Sequence, residues 1–217
     1  MNASSRRSWL VALLTVAMCA ACASPATVVA ARELASDAPC VLDDAAPDFP
    51  LQATGCVAMI DGVGVSPNGF NTWARLNIIL QPTDREGWAQ MKLKYVEIYI
   101  NEVLIDREVA AVGFTLEGRE RDLWFAVLFG EGESLDERLE IATGSGERSE
   151  DEVLAMWRGH ATRRAYACHV AGCAQRDGWD PASSYGVRYD AYEDLTLAVM
   201  ARHDVILMPE NVVVRWG

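Results

Sequence analysis

The sequence has few lysines and histidines and no strongly basic segment. Among its 19 basic residues only Lys92 and Lys94 are lysines, and 31 acidic residues give the 217-residue chain a formal net charge of −12. Nucleic-acid binding needs clustered cations that contact phosphates, so we expect no nucleic-acid partner. With 51% hydrophobic residues, the chain is too apolar to be disordered.

Motifs that would fix a reaction are also missing. The segment 144–146 (Gly-Ser-Gly) lacks the spacing of a nucleophile elbow, and neither a phosphate-binding loop nor a dinucleotide fingerprint is present. His160 and His169 fall on opposite sides of a helix, and His203 is the third and last histidine. We therefore predict no cofactor and no metal site, and we interpret each histidine as structural.

The first 23 residues have the three-part layout of a secretory signal peptide. Arg6 and Arg7 form a charged leader, and an apolar run extends from Trp9 to Met18 before small residues follow. About ten apolar residues are too few for a membrane-spanning helix, which needs about 20. The segment 5–10 also resembles the twin-arginine export motif, although two arginines suit an ordinary leader equally well.

Residues 19–22 (Cys-Ala-Ala-Cys) resemble the bacterial lipobox, with Cys19 where an aliphatic residue is usual. The resemblance implies an acylated Cys22 at the N-terminus of an outer-membrane lipoprotein, for which Ala23 suits the sorting. Ordinary cleavage after Ala23 is the alternative, and it would give a soluble periplasmic or secreted protein that begins at Ser24. Either way the mature chain is very acidic, so we expect membrane attachment through a lipid anchor only.

Four cysteines follow the leader: Cys40, Cys56, Cys168 and Cys173. An even number in an oxidising compartment is usually disulfide-bonded. Short loops favour the local pairs Cys40–Cys56 and Cys168–Cys173, among three possible connectivities. A metal site at Cys168, His169 and Cys173 is the alternative, but the second ligand pair of a zinc motif is missing.

The region after the leader divides into a tether and one predicted domain. Residues 24–50 are rich in Ala, Pro and Asp without a period, which is typical of a tether. In the domain, 51–217, hydrophobic residues first alternate with period two. The alternating segments are 74–80, 96–100, 112–116 and 123–129. Such alternation predicts an α+β fold that is mainly an antiparallel β-sandwich or partly open barrel.

One helix is expected over about 150–170, packed on the sheet. Ser149 and Glu152 form a capping box, and apolar residues from Leu154 to Cys168 recur at helical spacing. Further strands, the last two forming a closing hairpin, are expected at 195–201, 205–208 and 212–216.

Aromatic and acidic residues are interleaved between Asp177 and Asp194. The candidate ligand-binding residues are Trp179, Asp180, Tyr185, Tyr189 and Tyr192. Rings that stack on a pyranose and carboxylates that accept its hydroxyls would form a sugar-binding groove. The acids of this stretch could instead bind Ca²⁺, although the spacing does not match an EF-hand; they are Asp177, Asp180, Asp190, Glu193 and Asp194. A solvated loop whose tyrosines cover the sheet edge is the structural alternative.

Together these patterns predict an exported bacterial envelope protein, anchored as a lipoprotein, that binds a partner and performs no chemistry. The expected partner is an envelope component, a glycan or a secreted toxin. The alternative is a periplasmic or secreted hydrolase that uses carboxylates near Trp179–Asp194, which requires two of them roughly 5–10 Å apart in a cleft. A purely structural envelope protein is the third possibility.

Overall fold

The structure, a computed structural model, describes residues 40–42, 51–77, 85–144, 148–175, 179–182 and 184–214, with side chains from residue 91 onward in the helix that begins at Arg85. The predicted signal peptide (1–23), its Cys22, most of the tether (24–50) and Asp177 lie outside the described residues.

The described part of the chain is mostly helical. Its helices are α1 (Pro67–Asn77), α2 (Arg85–Val112), α3 (Gly118–Phe129), α4 (Glu133–Thr143), α5 (Glu150–Val170) and α6 (Tyr185–Met200). Its strands are β1 (Leu51–Ala53), β2 (Ala58–Ile60), β3 (Val63–Val65), β4 (Val205–Leu207) and β5 (Val212–Val214). Two single turns of 3-10 helix lie at Cys173–Gln175 and Pro209–Asn211.

The strands form two small antiparallel sheets. In one, β1 pairs with β5, with Leu51 opposite Val214 and Ala53 opposite Val212. The other has the order β3-β2-β4. The end of the described chain therefore returns to both sheets, and α1 and α2 pack against them.

The predicted β-sandwich or barrel is wrong. The segments assigned to strands at 96–100 and 123–129 lie within α2 and α3, and 195–200 lies within α6. Of the segment 74–80, residues 74–77 complete α1, while 112–116 joins α2 to α3. Alternation over so few residues does not exclude a helix, because residues i and i+4 also share a helical face.

The segment 96–100 shows why alternating apolar residues gave a wrong prediction of a strand. Val96 and Ile100 are fully buried, as a strand would also require, but Ile98 between them is 36% exposed. Burial continues at Tyr99 and Leu104, which is the spacing of a helix and not of a strand.

The predicted closing hairpin is also wrong, although both of its strands exist. β4 pairs with β2, whereas β5 pairs with β1 in the other sheet. The 3-10 turn at Pro209–Asn211 separates them. The end of the chain thus joins two sheets and does not fold back on itself.

The predicted helix over 150–170 is confirmed as α5. The Ser149 hydroxyl accepts a hydrogen bond from the backbone N–H of Glu152, and the Glu152 carboxylate accepts one from the backbone N–H of Ser149. These bonds are the predicted capping box. The helix packs mainly against α6 and α3, not on a sheet as predicted.

Two clusters of buried side chains form the core. The first joins the strands to α1, α2, α5 and α6 and includes Phe70, Tyr99 and Leu104. The second lies between α3, α5 and α6 and includes Trp124 and Ala161. Since α5 and α6 contribute to both clusters, they hold the two parts of the core together.

Asn71 fixes the position of α1 against β1. Its side chain is fully buried; its amide donates to the carbonyl of Ala53 (3.1 Å) and its Oδ1 accepts from the N–H of Ala53 (2.6 Å). Both buried backbone groups of Ala53 are thereby satisfied.

Cys40 and Cys56 are joined as a disulfide, one of the two predicted pairs. Cys168 at the end of α5 and Cys173 in the following 3-10 turn are both buried in the second core cluster. Their pairing with each other stays a prediction. No helix in the described ranges is both long and apolar enough to cross a bilayer.

Candidate ligand-binding groove

A cavity of about 370 Å³ lies between α1, α3, α4 and α5. We call this cavity the lateral groove. Its larger apolar lining residues are Leu76, Leu128, Phe129, Ile141, Met156 and Trp157. Its polar lining residues are Asn77, Arg138, Arg148 and His160.

Stacked aromatic rings form one wall of the lateral groove. Phe129 of α3 and Trp157 of α5 are stacked, with ring centroids 4.8 Å apart and planes inclined by 7°. Phe125 packs on this pair from outside the groove, 5.2 Å from Phe129 and 6.2 Å from Trp157. Ile141 lies at the rim and is 68% exposed. The wall is therefore built by packed rings, whereas the rim offers an aliphatic side chain to solvent.

The charged residues that line the groove in the described part of the chain are two arginines. Arg138 of α4 makes one long hydrogen bond, to the carbonyl of Leu128 (3.5 Å). Arg148, just before α5, donates from Nε to the carbonyl of Arg75 (2.7 Å). Among the described residues, no Asp or Glu lines the groove, although the whole chain has a net charge of −12. The groove is thus a local exception to the acidic character of the protein.

A buried charge cluster borders the inner end of the groove and centres on Arg163 of α5. The Arg163 side chain is 8% exposed. Its Nη1 donates to both carboxylate oxygens of Asp106 (3.1 and 2.9 Å), and its Nη2 donates to Glu102 Oε2 (2.8 Å). Trp73 Nε1 donates to the same Glu102 oxygen (2.9 Å). We call these residues, with His160, the Arg163 cluster; it joins α1, α2 and α5.

In the Arg163 cluster, burial and the neighbouring opposite charges have opposing effects on the pKa values of Arg163 and Asp106. Burial lowers the pKa of Arg163, but Glu102 and Asp106 outweigh burial and the pKa lies above its ordinary value. Burial raises the pKa of Asp106 despite the opposing effect of Arg163. Arg163 therefore keeps its charge, whereas Asp106 takes up a proton more readily than a solvated aspartate.

His160 links the Arg163 cluster to the lateral groove. Its Nε2 lies 2.9 Å from Asn77 Oδ1, and its Nδ1 lies 3.3 Å from Arg163 Nη2. Asn77 donates its amide to the Trp73 carbonyl (3.0 Å), so its oxygen faces the histidine. Arginine can only donate, and the consistent assignment is a neutral ring that donates from Nε2 and accepts at Nδ1.

The environment of His160 keeps it neutral. Burial, with the nearby charges of Arg163 and Arg164, lowers the pKa of His160 to about 3. A general base needs a pKa near the working pH and a nitrogen that faces the substrate. Both ring nitrogens are already hydrogen-bonded within the protein. His160 is therefore suited to a structural role in the groove and not to proton transfer.

The structure separates the five candidate ligand-binding residues predicted from the sequence. Tyr185 and Tyr189 stack on the outer side of α6, with ring centroids 6.4 Å apart and exposures of 69% and 51%. Tyr192 is covered by Arg164, whose guanidinium carbon lies 3.8 Å from the ring centroid. Trp179 packs against the second core cluster, and the carboxylate of Asp180 accepts from the N–H of Ala182 (3.2 Å).

Asp190 and Asp194 lie on a different side of α6 from the exposed rings, whereas Glu193, four residues after Tyr189, shares its face. Successive residues are rotated by about 100° around a helix, which places Asp190 and Asp194 about 140–180° away from Tyr185. Asp194 lines a separate cavity between α5 and α6, together with Arg202. The interleaving seen in the sequence is thus kept only between Tyr189 and Glu193, and the hydrolase alternative stays a prediction.

The other histidines have structural surroundings. His203 Nδ1 lies 2.6 Å from Asp61 Oδ2, and the other Asp61 oxygen accepts from the N–H of Asp204 (2.9 Å). The hydrogen bond with His203 is the main cause that lowers the pKa of Asp61. The ring of His169 lies 5.4 Å from that of Phe114. Within the described residues, no three His, Cys, Asp or Glu side chains are grouped as a metal site would require.

The sequence analysis missed Glu102, Asp106 and Arg163. Assigning 96–100 to a strand hid the fact that Glu102 and Asp106, four residues apart, share a helical face. The available signal was the position of Glu102 directly before the apolar run Val103–Ile105, where a charge needs a buried partner.

Comparison with known proteins does not identify the chain. No family model matches it, and no curated protein and no solved structure shows significant similarity to it.

Proposed function

We propose that this chain is a non-catalytic binding protein of the bacterial envelope and that the lateral groove is its binding site. The observation that carries the proposal is the groove itself, because apolar side chains from four helices surround a cavity of about 370 Å³. Small-molecule sites are typically concave, mostly apolar and roughly 300–1,000 Å³ in volume.

The polar groups of the groove support binding without catalysis. His160 and Asn77 use their hydrogen-bonding atoms on each other, on Arg163 and on the backbone of Trp73. No carboxylate of the described residues lines the groove, so these residues offer neither a carboxylate base nor a carboxylate nucleophile. Its chemistry is that of shape, apolar contact and positive charge.

Placement in the envelope rests on the sequence of residues 1–23. Intact-protein mass spectrometry of the membrane fraction tests it, with the wild type compared with Cys22→Ala. A mass gain on Cys22 that the variant lacks would support a lipoprotein. A chain that begins at Ser24 would instead place the protein free in the periplasm or outside the cell.

Binding in the groove is tested with the neutral apolar dye N-phenyl-1-naphthylamine, whose fluorescence rises in apolar surroundings. We expect saturable binding to the purified protein. Ile141→Asn should weaken binding about fivefold, because an aliphatic contact at the rim is removed. Leu197→Asn is the matched control, since Leu197 is similarly exposed (63%) and lies on α6.

The outcomes separate a groove ligand from general surface adsorption. Weaker dye binding in Ile141→Asn, with unchanged binding in Leu197→Asn, would support the lateral groove as the site. An absence of saturable binding, or equal effects of both substitutions, would contradict the proposed function.

A further inference from the structure

We propose that the ligand of the lateral groove is an amphiphile with one carboxylate and an alkyl chain of about ten carbons, of the kind found in a medium-chain fatty acid. The inference rests on the proposed function and adds the chemical class of the ligand. Three features carry it: the volume of the groove, the sign of its charge and the position of its polar groups.

The volume of the groove suits a ligand of about this size, and the groove is open to solvent. At roughly 30 Å³ for each non-hydrogen atom, the share that one water takes in the liquid, the 370 Å³ of the groove hold about twelve such atoms. Decanoate has about that number when its two oxygens are counted. The lining is long-chain aliphatic and aromatic, which suits methylene groups, whereas a sugar would leave its hydroxyls without partners.

The charge sets the nature of the head group. Arg138 lines the groove, and its guanidinium forms no ion pair with any carboxylate of the described chain. Arg148 lines the same cavity and is oriented by its bond to the Arg75 carbonyl. The unpaired charge of Arg138 therefore offers a carboxylate a favourable place in the groove, although the net charge of the whole protein is −12. A planar guanidinium also matches a carboxylate in geometry.

The polar groups determine which end of the ligand lies at the inner end of the groove. At the inner end, both nitrogens of His160 and both amide atoms of Asn77 are engaged in hydrogen bonds. A carboxylate placed there would have to break those bonds and would lie beside the acidic Arg163 cluster. The alkyl chain therefore extends along Trp157 toward His160, and the carboxylate stays at Arg138 near the solvent.

The test measures direct binding by isothermal titration calorimetry with three probes of equal chain length: decanoate, decanol and decylammonium, each below its aggregation concentration. We expect decanoate to bind at least fivefold more tightly than decylammonium. Arg138→Gln should remove most of that preference and leave decanol affinity unchanged. Arg119→Gln is the matched control, because Arg119 is an exposed arginine of α3 outside the groove lining.

Two further results decide the interpretation. Raising the salt concentration should weaken decanoate binding and not decanol binding, since an exposed charge contact is screened. Equal affinity for decanoate and decylammonium would overturn the inference, and so would an Arg138→Gln variant that keeps the wild-type preference for decanoate. If the dye still binds saturably in either case, the proposed function itself is not contradicted. A protein that binds neither dye nor decanol would contradict the proposed function itself.

Discussion

Arg163 is the side chain on which the arrangement of helices beside the groove depends most. It belongs to α5, yet its guanidinium is held by Glu102 and Asp106 of α2. Arg163→Met keeps much of the side-chain volume but leaves two carboxylates of α2 without their cation. The Glu102 side chain is 9% exposed, so water replaces the lost donor poorly.

The expected loss of stability follows from this burial. Removing one partner of a buried ion pair typically lowers the free energy of unfolding by about 3–5 kcal/mol. The lower end applies here, because the Asp106 side chain is 28% exposed and burial already raises its pKa, so it can take up a proton. We therefore expect Arg163→Met to lose about 3 kcal/mol at pH 7, a large part of the 5–15 kcal/mol typical of a domain.

Urea unfolding followed by circular dichroism at 222 nm measures this loss, because most of the signal comes from helices. Arg121→Met is the matched control: Arg121 and Asp122 are 2.8 Å apart, but their side chains are 50% and 67% exposed. The control should lose less than about 0.5 kcal/mol. The reasoning would be refuted if Arg163→Met lowered the free energy of unfolding by less than about 1 kcal/mol, or if both variants lowered it equally. If Arg163→Met does not fold, Asp106→Asn replaces it as the test. This variant keeps the bond between Arg163 and Glu102, and its free energy of unfolding should fall by about 1 kcal/mol.

Three smaller perturbations test other parts of the structure. Burial and Arg163 lower the pKa of His160 from 6.5 to about 3, so between these values the unfolded chain binds a proton that the folded chain does not. The free energy of unfolding of the wild type should therefore fall by up to about 1.4 kcal/mol for each pH unit below 6.5. Urea unfolding at a series of pH values measures this slope, which should be smaller in His160→Gln. A Cβ at Gly64 would lie 2.6 and 2.5 Å from the disulfide sulfurs, so Gly64→Ala should lower Tm in a calorimetric scan. Gly186→Ala, with nothing within 4 Å, should keep or raise it. Ser149→Ala removes the capping box and should lower the free energy of urea unfolding by about 1 kcal/mol.

α5 could be predicted because its signals are local. Ser149 and Glu152 meet within one turn, and the helix begins there whatever packs against it. The pairing of Cys40 with Cys56 could likewise be predicted from a short loop, since the two positions are 16 apart in the sequence. Both features depend on neighbours in sequence, where the rules of backbone and loop geometry apply directly.

The helices α2 and α6 could not be predicted in the same way. α2 is buried on more than one side, so its buried residues do not form a single stripe. The buried residues of α6 do form one stripe, but the exposed Leu197 adds an apolar residue outside it. In α2 the β-branched residues Val96, Ile98 and Ile100 favour a strand by propensity, and only the packing of Tyr99 and Leu104 decides for a helix. Here tertiary contacts outweigh the strand propensity of these β-branched residues.

The Arg163 cluster lay beyond local reasoning because its bonds join distant parts of the chain. Arg163 is 57 residues from Asp106 and 61 from Glu102, and His160 is 83 from Asn77. No spacing rule relates such positions in the absence of a fold. The candidate tyrosines show the converse, since residues that are neighbours in sequence around Tyr185–Asp194 face different sides of α6.

The position of His160 connects stability to ligand choice. The same two hydrogen bonds that hold its ring, to Asn77 and to Arg163, leave it without a polar atom to offer at the inner end of the groove. A ligand that placed a polar group there would have to disrupt the junction of α1 with α5, and the binding free energy would be reduced by that amount. An alkyl chain makes no such demand. The groove therefore discriminates against polar tails through the bonds that stabilise the fold, whereas Arg138 selects the head group from the solvent side.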